Sequence, residues 1–596
     1  MNEPRLIRGR LFRGTILLLF GILCINLFLM QVPRHDYYKS QALENRQLGF
    51  PVKGPRGRIL DRDGNILADN LYIADITLPP EAIRDGEPNL TLSRLLTWFQ
   101  LPEEETMARL MEQKTRGHRR LVLINNASLA QCTTVEEFRQ ELPGARVDAR
   151  ARRRYVYGPL FAHIVGYVGE VNQADIDLAA TDQAYRPGDM IGKLGIEKAF
   201  ESRLKGRDGE KIMEVNASGQ IVISKPLWRK RVRPSEDVTL TLSVGLQDSL
   251  SMLLDGRPGC GVALALPSGE VLAAVSSPSY DPNLMTIMIS PAEWKRLSND
   301  PAKPFFNRII QATYPPGSLY KPITSLCGLS HDLIGRHSFL EPCGGGFYFG
   351  NRWFRCWKRV GHGELDHGEA LVHSCDVFYY QLGLRLDIDL LHKTALACGL
   401  GQPCSDLLSE EVAGNIPTSA WYDERYGKGK WTRGVMLNNA IGQGEILVTP
   451  LQMAQLAALI STSGRMNKPF FVLEPAHEPT LAQALPFSEE NLQWVRHQLE
   501  QVVDIGTGTA ANLAQISVAG KTGTAQNPHG NDHAWFMCYA PADSPEVALA
   551  IILENAGHGG AEAAPVAGRW LHAYFNWVRQ QDAEQSLALV EGKKER

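Results

Sequence analysis

Ser318 and Lys321 stand three residues apart behind a Pro-Pro-Gly turn, in YPPGSLYKP (314–322). On a helix, positions i and i+3 share a face. A lysine so placed can take the proton of a serine hydroxyl and make it a nucleophile for acyl transfer. The spacing alone does not decide this. Ser318 as a helix cap with Lys321 as a solvated charge fits it equally, and Ser202 and Lys205 repeat the pattern in a charged segment. Two more elements follow in chain order: Ser374-Cys375-Asp376, then Lys521-Thr522-Gly523-Thr524. The first is weak by itself, because Ser235/Asp237, Ser279/Asp281 and Ser298/Asp300 share its form, although all three precede Ser318. The Lys-Thr-Gly element occurs once, where strand texture is expected.

Such side chains need elements to hold them. The chain has 596 residues, too many for one core, with 44% hydrophobic and 21% charged residues as in globular proteins. A net charge of −3 gives no basic domain for nucleic acid. From residue 236 the texture is strand and amphipathic helix (VTLTLSVGLQDSLSMLL), then strand, PSG turn and strand (GVALALPSGEVLAAVSSPSYDPN). Helical and Gly-rich segments follow. Strand texture returns in AQISVAGKTGTAQ, HAWFMCYAP and EVALAIILENA, and a helix closes the domain over 565–580. This predicts an α/β (α+β) domain over 236–581 whose sheet is completed by both ends of its chain, with a charged, fraying tail over 582–596.

Residues 32–235 mix short strands and helices without a catalytic constellation and read as a positioning pedestal. Within them GPRGRILDRDGNILADN is a turn between strands, 82–140 is helical, the basic run ARVDARARRRY is a solvated strand or loop, and 192–210 is a helix between glycine turns. Ahead of the pedestal, residues 15–31 are apolar apart from Thr15, Asn26 and Gln31. Their length is near the lower limit for a membrane span. No small-x-small cleavage site follows, so an uncleaved anchor is expected rather than a signal peptide. Arg5, Arg8, Arg10 and Arg13 place residues 1–14 in the cytoplasm and the rest outside.

The trio of motifs is one that β-lactamases and penicillin-binding proteins carry. The chain closely resembles class B penicillin-binding proteins over nearly its whole length, through RGRILDRDGNILA, GIEKAF, SGEVLAAVSSPSYDPN, YPPGSLYKP, IGQGEILVTPLQMA, GKTGTAQ and HAWFMCYAP. Its S-x-D form resembles the elongation-type penicillin-binding protein 2 of Gram-negative bacteria. The resemblance implies a D,D-transpeptidase that crosslinks peptidoglycan stem peptides through a Ser318 acyl-enzyme and is a target of β-lactams. Lys321 is then the base, Ser374 relays a proton to the leaving amine, and Lys521, Thr522, Gly523 and Thr524 hold the substrate's terminal carboxylate. The backbone N–H groups of Ser318 and Thr524 form an oxyanion hole. A lysine base must be neutral, and Lys521 is a candidate cation to make Lys321 so. Asp376 works against this unless it is neutral, points to other donors or shares a proton with Lys321.

The resemblance also implies a place in the inner membrane with the bulk in the periplasm. Its implied partners are a lipid-linked precursor polymer, a SEDS-type glycosyltransferase of the RodA kind and an MreC-type scaffold. Alternatives are a septal-type transpeptidase, a β-lactamase, or a β-lactam sensor or non-catalytic scaffold. The long pedestal argues against the second, and the short inner segment against the third.

Of the ten cysteines, Cys398 and Cys404 are spaced to bridge. Cys343, Cys356 and Cys375 with His362 form the ligand set of a closed tetrahedral zinc site, although spacings of 13, 6 and 13 are irregular. A Cys343–Cys356 disulfide is the alternative in an exported compartment. The resemblance favours structural zinc, since some elongation-type relatives bind a metal here with carboxylates in the first two positions. His367 and His373 are nearby and are left out of the set.

Overall fold

A computed structural model describes residues 3–118, 120–178, 185–214, 227–232, 235–286, 289, 291–405, 408–473, 480–482 and 484–594. The chain divides into two compact units, Met1–Arg56 with Lys205–Glu236, and Gly57–Leu204 with Asp237–Arg596. Gly57–Leu204 thus clusters with the residues that follow 236.

In the first unit the helix Glu3–Gln31 contains a 21-residue stretch, Leu11–Gln31, that is long and apolar enough to cross a membrane. A second helix, His35–Arg46, leads into a three-stranded antiparallel sheet of Gln47–Val52, Gly209–Glu214 and Leu227–Lys230.

The second unit holds a five-stranded antiparallel sheet whose edge strand carries the Lys521–Thr524 motif. Its order is Val271–Ser277, Gly259–Ala265, Val547–Leu553, His533–Ala540 and Ala519–Ala525. The first two strands come from one end of the domain and the last three from the other, as the sequence texture predicts. Alternate side chains go to two cores. Leu549, Ile551 and Phe536 pack with Leu246, Leu250 and Trp570 on one face. Ala550, Ile552 and Trp535 pack with Met453, Leu456 and Leu499 on the other. Apolar cover on both faces explains why these strands read as nearly continuous hydrophobic runs.

A second sheet carries the chain between pedestal and catalytic elements. Val238–Leu240 pairs parallel with Ile59–Leu60 and antiparallel with Val472–Leu473. Ile59–Leu60 continues through the LDRDGN turn into the long strand Ile66–Leu78. Asp61, fully buried, holds that turn. Its carboxylate accepts from Asp63 N (2.9 Å), Asn65 N (2.7 Å), Asn65 Nδ2 (2.9 Å) and Val244 N (3.0 Å), the last opening the helix Val244–Leu254. The turn between strands is as expected.

Four expectations need correction. Residues 82–140 are not helical throughout, since Leu121–Ile124 is a strand on the edge of Ile66–Leu78. Residues 192–210 form two short helices, Gly195–Ala199 and Glu201–Leu204, before the strand that begins at Gly209. The basic run is a strand, Arg146–Tyr155, but not all of it is solvated. Arg153 is buried, donating to Glu197 Oε1 (2.6 Å) and Gly57 O (2.6 Å). At the end of the strand Arg153 and Tyr155 turn inward while Arg154 stays exposed, and a buried arginine survives there only with its charge paired. The closing helix is longer than expected, Gly559–Lys594, so the tail is helical over its described residues.

Candidate active site

The turn that presents Ser318 is fixed before the helix begins. Tyr314 exchanges backbone hydrogen bonds with Val448 (3.0 and 2.9 Å), and Trp535 Nε1 donates to Pro315 O (3.2 Å). Gly317 has φ +55°, and a Cβ there would lie 2.6 Å from Thr524 O, so both backbone and space require glycine. Its N–H donates to Gly442 O (2.8 Å). Ser318 stands in one 3₁₀ turn, Gly317–Tyr320, that runs straight into the helix Lys321–Ser330. Lys321 is the first residue of that helix and is completely buried.

The buried amine is met by three acceptors. Lys321 Nζ lies 2.9 Å from Ser374 O, 3.2 Å from Ser374 Oγ and 2.8 Å from Asp376 Oδ1. It also sits over the Tyr379 ring, 5.2 Å from its centroid. The partners arrive from a break between two helices. Asp366 and Glu369 make a capping box that starts His367–Val372, and Asp376 opens Asp376–Gly383. Between them Ser374 adopts φ +55°. A side chain in this left-handed region costs energy that glycine avoids. Ser374→Gly is therefore expected to be more stable than Ser374→Ala by about 1 kcal/mol, since both lack the hydroxyl and differ mainly in backbone freedom. Thermal unfolding of the two variants checks this, and equal midpoints would count against it.

Asp376 resolves part of the tension in its position. It does not turn away from Lys321. One oxygen takes the lysine and the other accepts Trp357 N–H (3.0 Å).

Lys521 lies on the strand Ala519–Ala525 and is also completely buried. Burial, and then the charge of Lys321, push its ammonium pKa well down, with Asp376 partly offsetting. Burial and the neighbouring lysine therefore both oppose a charge on Lys521, and the carboxylate of Asp376 supports one. Farther along the strand, a Cβ at Gly523 would stand 2.9 Å from Pro316 O, so glycine lets the strand lie against the Ser318 turn. Thr524 O accepts Gln443 Nε2 (2.9 Å), and Thr522 Oγ1 meets Thr507 Oγ1 (2.6 Å).

These elements enclose a cleft of about 670 Å³, lined among others by Ser318, Ser374, Asp376, Thr522, Gly523 and Thr524. All predicted catalytic and substrate-binding residues meet at this cleft or directly beneath it. Sequence reasoning missed Trp357, Gln443, Thr507 and His558, which also line it. Gln443 lay inside the quoted IGQGE run. The others carry no local signal, because tertiary packing alone brings them in.

The four thiol and imidazole residues also come together. Their ligand atoms all lie within 4.8 Å of one another, and His362 Nδ1 is 3.6 Å from both Cys343 Sγ and Cys356 Sγ. Bond lengths of about 2.3 Å to sulfur and 2.0–2.1 Å to nitrogen at a tetrahedral angle give this same S···N separation of about 3.6 Å. A hydrogen bond from Cys375 pulls the Cys356 thiol down, and the same bond pushes Cys375 up. All three cysteines are free, so the Cys343–Cys356 bridge is not formed, and Cys398 and Cys404 are buried free thiols as well. His367 is no alternate. It is buried, hydrogen-bonded to Gly335 O (3.2 Å) and Ser325 Oγ (3.0 Å) and stacked on Phe378.

Comparison with known proteins bears on the same cleft. The penicillin binding protein transpeptidase domain family matches residues 259–572, and the penicillin-binding protein dimerisation domain family matches 51–240. The peptidoglycan D,D-transpeptidase MrdA of Haemophilus influenzae is 32% identical over 97% of this chain and 93% of its own. Among solved structures, PBP2 of Helicobacter pylori in complex with MreC superposes with TM-score 0.79 and 27% identity, covering 89% of this chain and 99% of that one. A peptidoglycan synthase complex that coordinates polymerization and crosslinking matches with TM-score 0.71 and 29% identity, covering 96% and 98%.

Proposed function

The chain belongs to the penicillin-binding protein transpeptidases and is an elongation-type peptidoglycan D,D-transpeptidase, and we propose that it works through an acyl-enzyme on Ser318. The carrying observation is Lys321, buried one helical turn from Ser318 and held between Ser374 and Asp376. Ser318 Oγ attacks the carbonyl of the penultimate D-alanine of a stem peptide. Lys321 takes the hydroxyl proton, and Ser374 passes a proton to the amine of the last D-alanine as the C–N bond breaks. Lys521, Thr522 and Thr524 hold that residue's carboxylate, Gly523 giving the strand its close approach. The N–H groups of Ser318 and Thr524 face the developing oxyanion. The amine of a neighbouring stem then attacks the ester. Its proton returns along the same route to Ser318 Oγ, and the crosslink leaves.

Cys343, Cys356, His362 and Cys375 would hold a structural zinc ion. Donor chemistry and the 3.6 Å separations support this. When bound, the ion supplies a rigid crosslink and no acid or redox chemistry. The chain's own contribution is the loop from Cys343 to His362, tied to the residue between Ser374 and Asp376.

The apolar helix anchors the chain in the inner membrane, with the basic N-terminus in the cytoplasm and the bulk in the periplasm. The lipid-linked polymer is the substrate, a SEDS-type polymerase makes it, and an MreC-type scaffold is a further partner. Support for these partners comes from the MreC complex and the synthase complex of the relatives.

Intact mass after exposure to penicillin tests the mechanism. The expected result is one drug-sized adduct that lasts for many minutes and maps to the peptide holding Ser318. An adduct that clears in seconds while the drug is consumed would mean a β-lactamase. Its absence would mean a site that does not acylate.

A further inference from the structure

Two arginines in the cleft take no part in the acyl transfer set out above. Arg355 and Arg359 both line it, with Cys356 and Trp357 between them. Both are exposed to the cleft solvent. Among the described residues, neither guanidinium has a carboxylate partner within salt-bridge distance. The carboxylates that share the cleft are engaged elsewhere. Asp376 is taken by Lys321 and Trp357 N–H, and Asp532 accepts from Asn527 N (3.3 Å).

The backbone under the two arginines is held in place. Tyr380 OH donates to Arg355 O (2.9 Å) and Cys356 N donates to Gly345 O (3.0 Å). Trp357 donates from its backbone to Asp376 and from its indole to Ser374 O (3.1 Å) and His373 O (3.2 Å). The pair is thus registered against the residues that contact Lys321. A guanidinium presents a planar fork that matches a carboxylate with two parallel hydrogen bonds. Two unmatched forks on a fixed loop beside an acylating serine make a receptor for an anionic group of the substrate. The terminal carboxylate is already accounted for by the Lys521–Thr524 strand.

We propose that Arg355 and Arg359 bind a second carboxylate of the donor stem peptide, carried by a residue upstream of the D-Ala-D-Ala terminus. This rests on the acyl-transfer reading of the same cleft. The loop then makes the enzyme selective for stems whose upstream carboxylate is free over stems in which it is amidated.

Two synthetic donors test this, a D-Ala-D-Ala peptide with a free upstream carboxylate and its carboxamide. D-Alanine release is measured with full-length protein in detergent. Wild type should favour the carboxylate peptide. Arg355→Gln and Arg359→Gln should each lose about 10-fold in kcat/KM on it, mostly through KM, and the double variant more. The carboxamide should change less than about twofold in every variant, and lysine at either position should restore part of the loss. Equal losses on both peptides would assign the arginines to structure, and no loss would remove them from recognition. Either result overturns the proposal. Penicillin, which has no upstream carboxylate, should acylate Ser318 at the wild-type rate in all variants. Absence of that acylation in wild type would instead bring down the acyl-transfer reading, and this inference with it.

Discussion

Methionine in place of Lys321 is expected to slow acylation of Ser318 by penicillin about 10²- to 10⁴-fold, the range that a positioned general base contributes. Methionine nearly fills the volume of the buried lysine stem, so the loss reports the missing amine rather than a cavity. The substitution also strands Asp376. Removing one partner of a buried ion pair costs about 3–5 kcal/mol. The cost should be lower here, because Asp376 keeps Trp357 N–H and borders the cleft. A second substitution separates folding from chemistry. Lys321→Met with Asp376→Asn should regain much of the lost stability and none of the acylation. Rate constants from time-resolved intact mass, set beside thermal midpoints, decide the matter. If the double variant acylates at near the wild-type rate, Lys321 is a structural cation and the base lies elsewhere.

Removing the proposed zinc ion is the second large effect expected. Protein purified without added zinc is expected to carry about one equivalent. Stripping it, or replacing Cys375 by serine, should lower the unfolding midpoint by on the order of 10 °C. A ligand at a thousandfold excess over its Kd stabilises by about 4 kcal/mol, and each kcal/mol shifts a large domain by about 2–4 °C. Acylation should slow as well, because Cys375 lies between Ser374 and Asp376 and because Cys356 adjoins the Trp357 N–H that Asp376 accepts. Elemental analysis well below one equivalent, together with a Cys343–Cys356 bridge in non-reducing mass mapping, would falsify the zinc assignment.

Much of this site was legible because three short motifs, two of them common when taken singly, occur in one order along a chain that resembles a known family throughout. Ser318, Lys321, Ser374, Asp376 and Lys521 could be picked from three short motifs, and the strands that carry Lys521 announce themselves through doubly covered apolar runs. What was not legible depends on distant parts of the chain meeting. The fate of Asp376 required Trp357 to fold back from a separate loop. That both lysines are completely buried required the depth of the strand and the helix that carry them. Arg153 looked solvated because its neighbours in the run are charged. Its pairing with Glu197 is set by strand alternation and by a helix more than forty residues later. The join between pedestal and later residues was hidden for a similar reason, since Ile59–Leu60 finds its parallel partner in Val238–Leu240.

The central sheet also carries a consequence in time. Gly259–Ala265 pairs along its whole length with Val547–Leu553, near the other end of the domain. At about 5–20 residues per second of synthesis, the earlier strand waits roughly 15–60 s for its neighbour to be made. Until then Gly259–Ala265 and the adjoining Val271–Ser277 strand form a hairpin with both edges bare, the kind of template on which foreign strands pair. The inner edge of the waiting hairpin is closed only when Val547–Leu553 arrives, before a single crosslink is made.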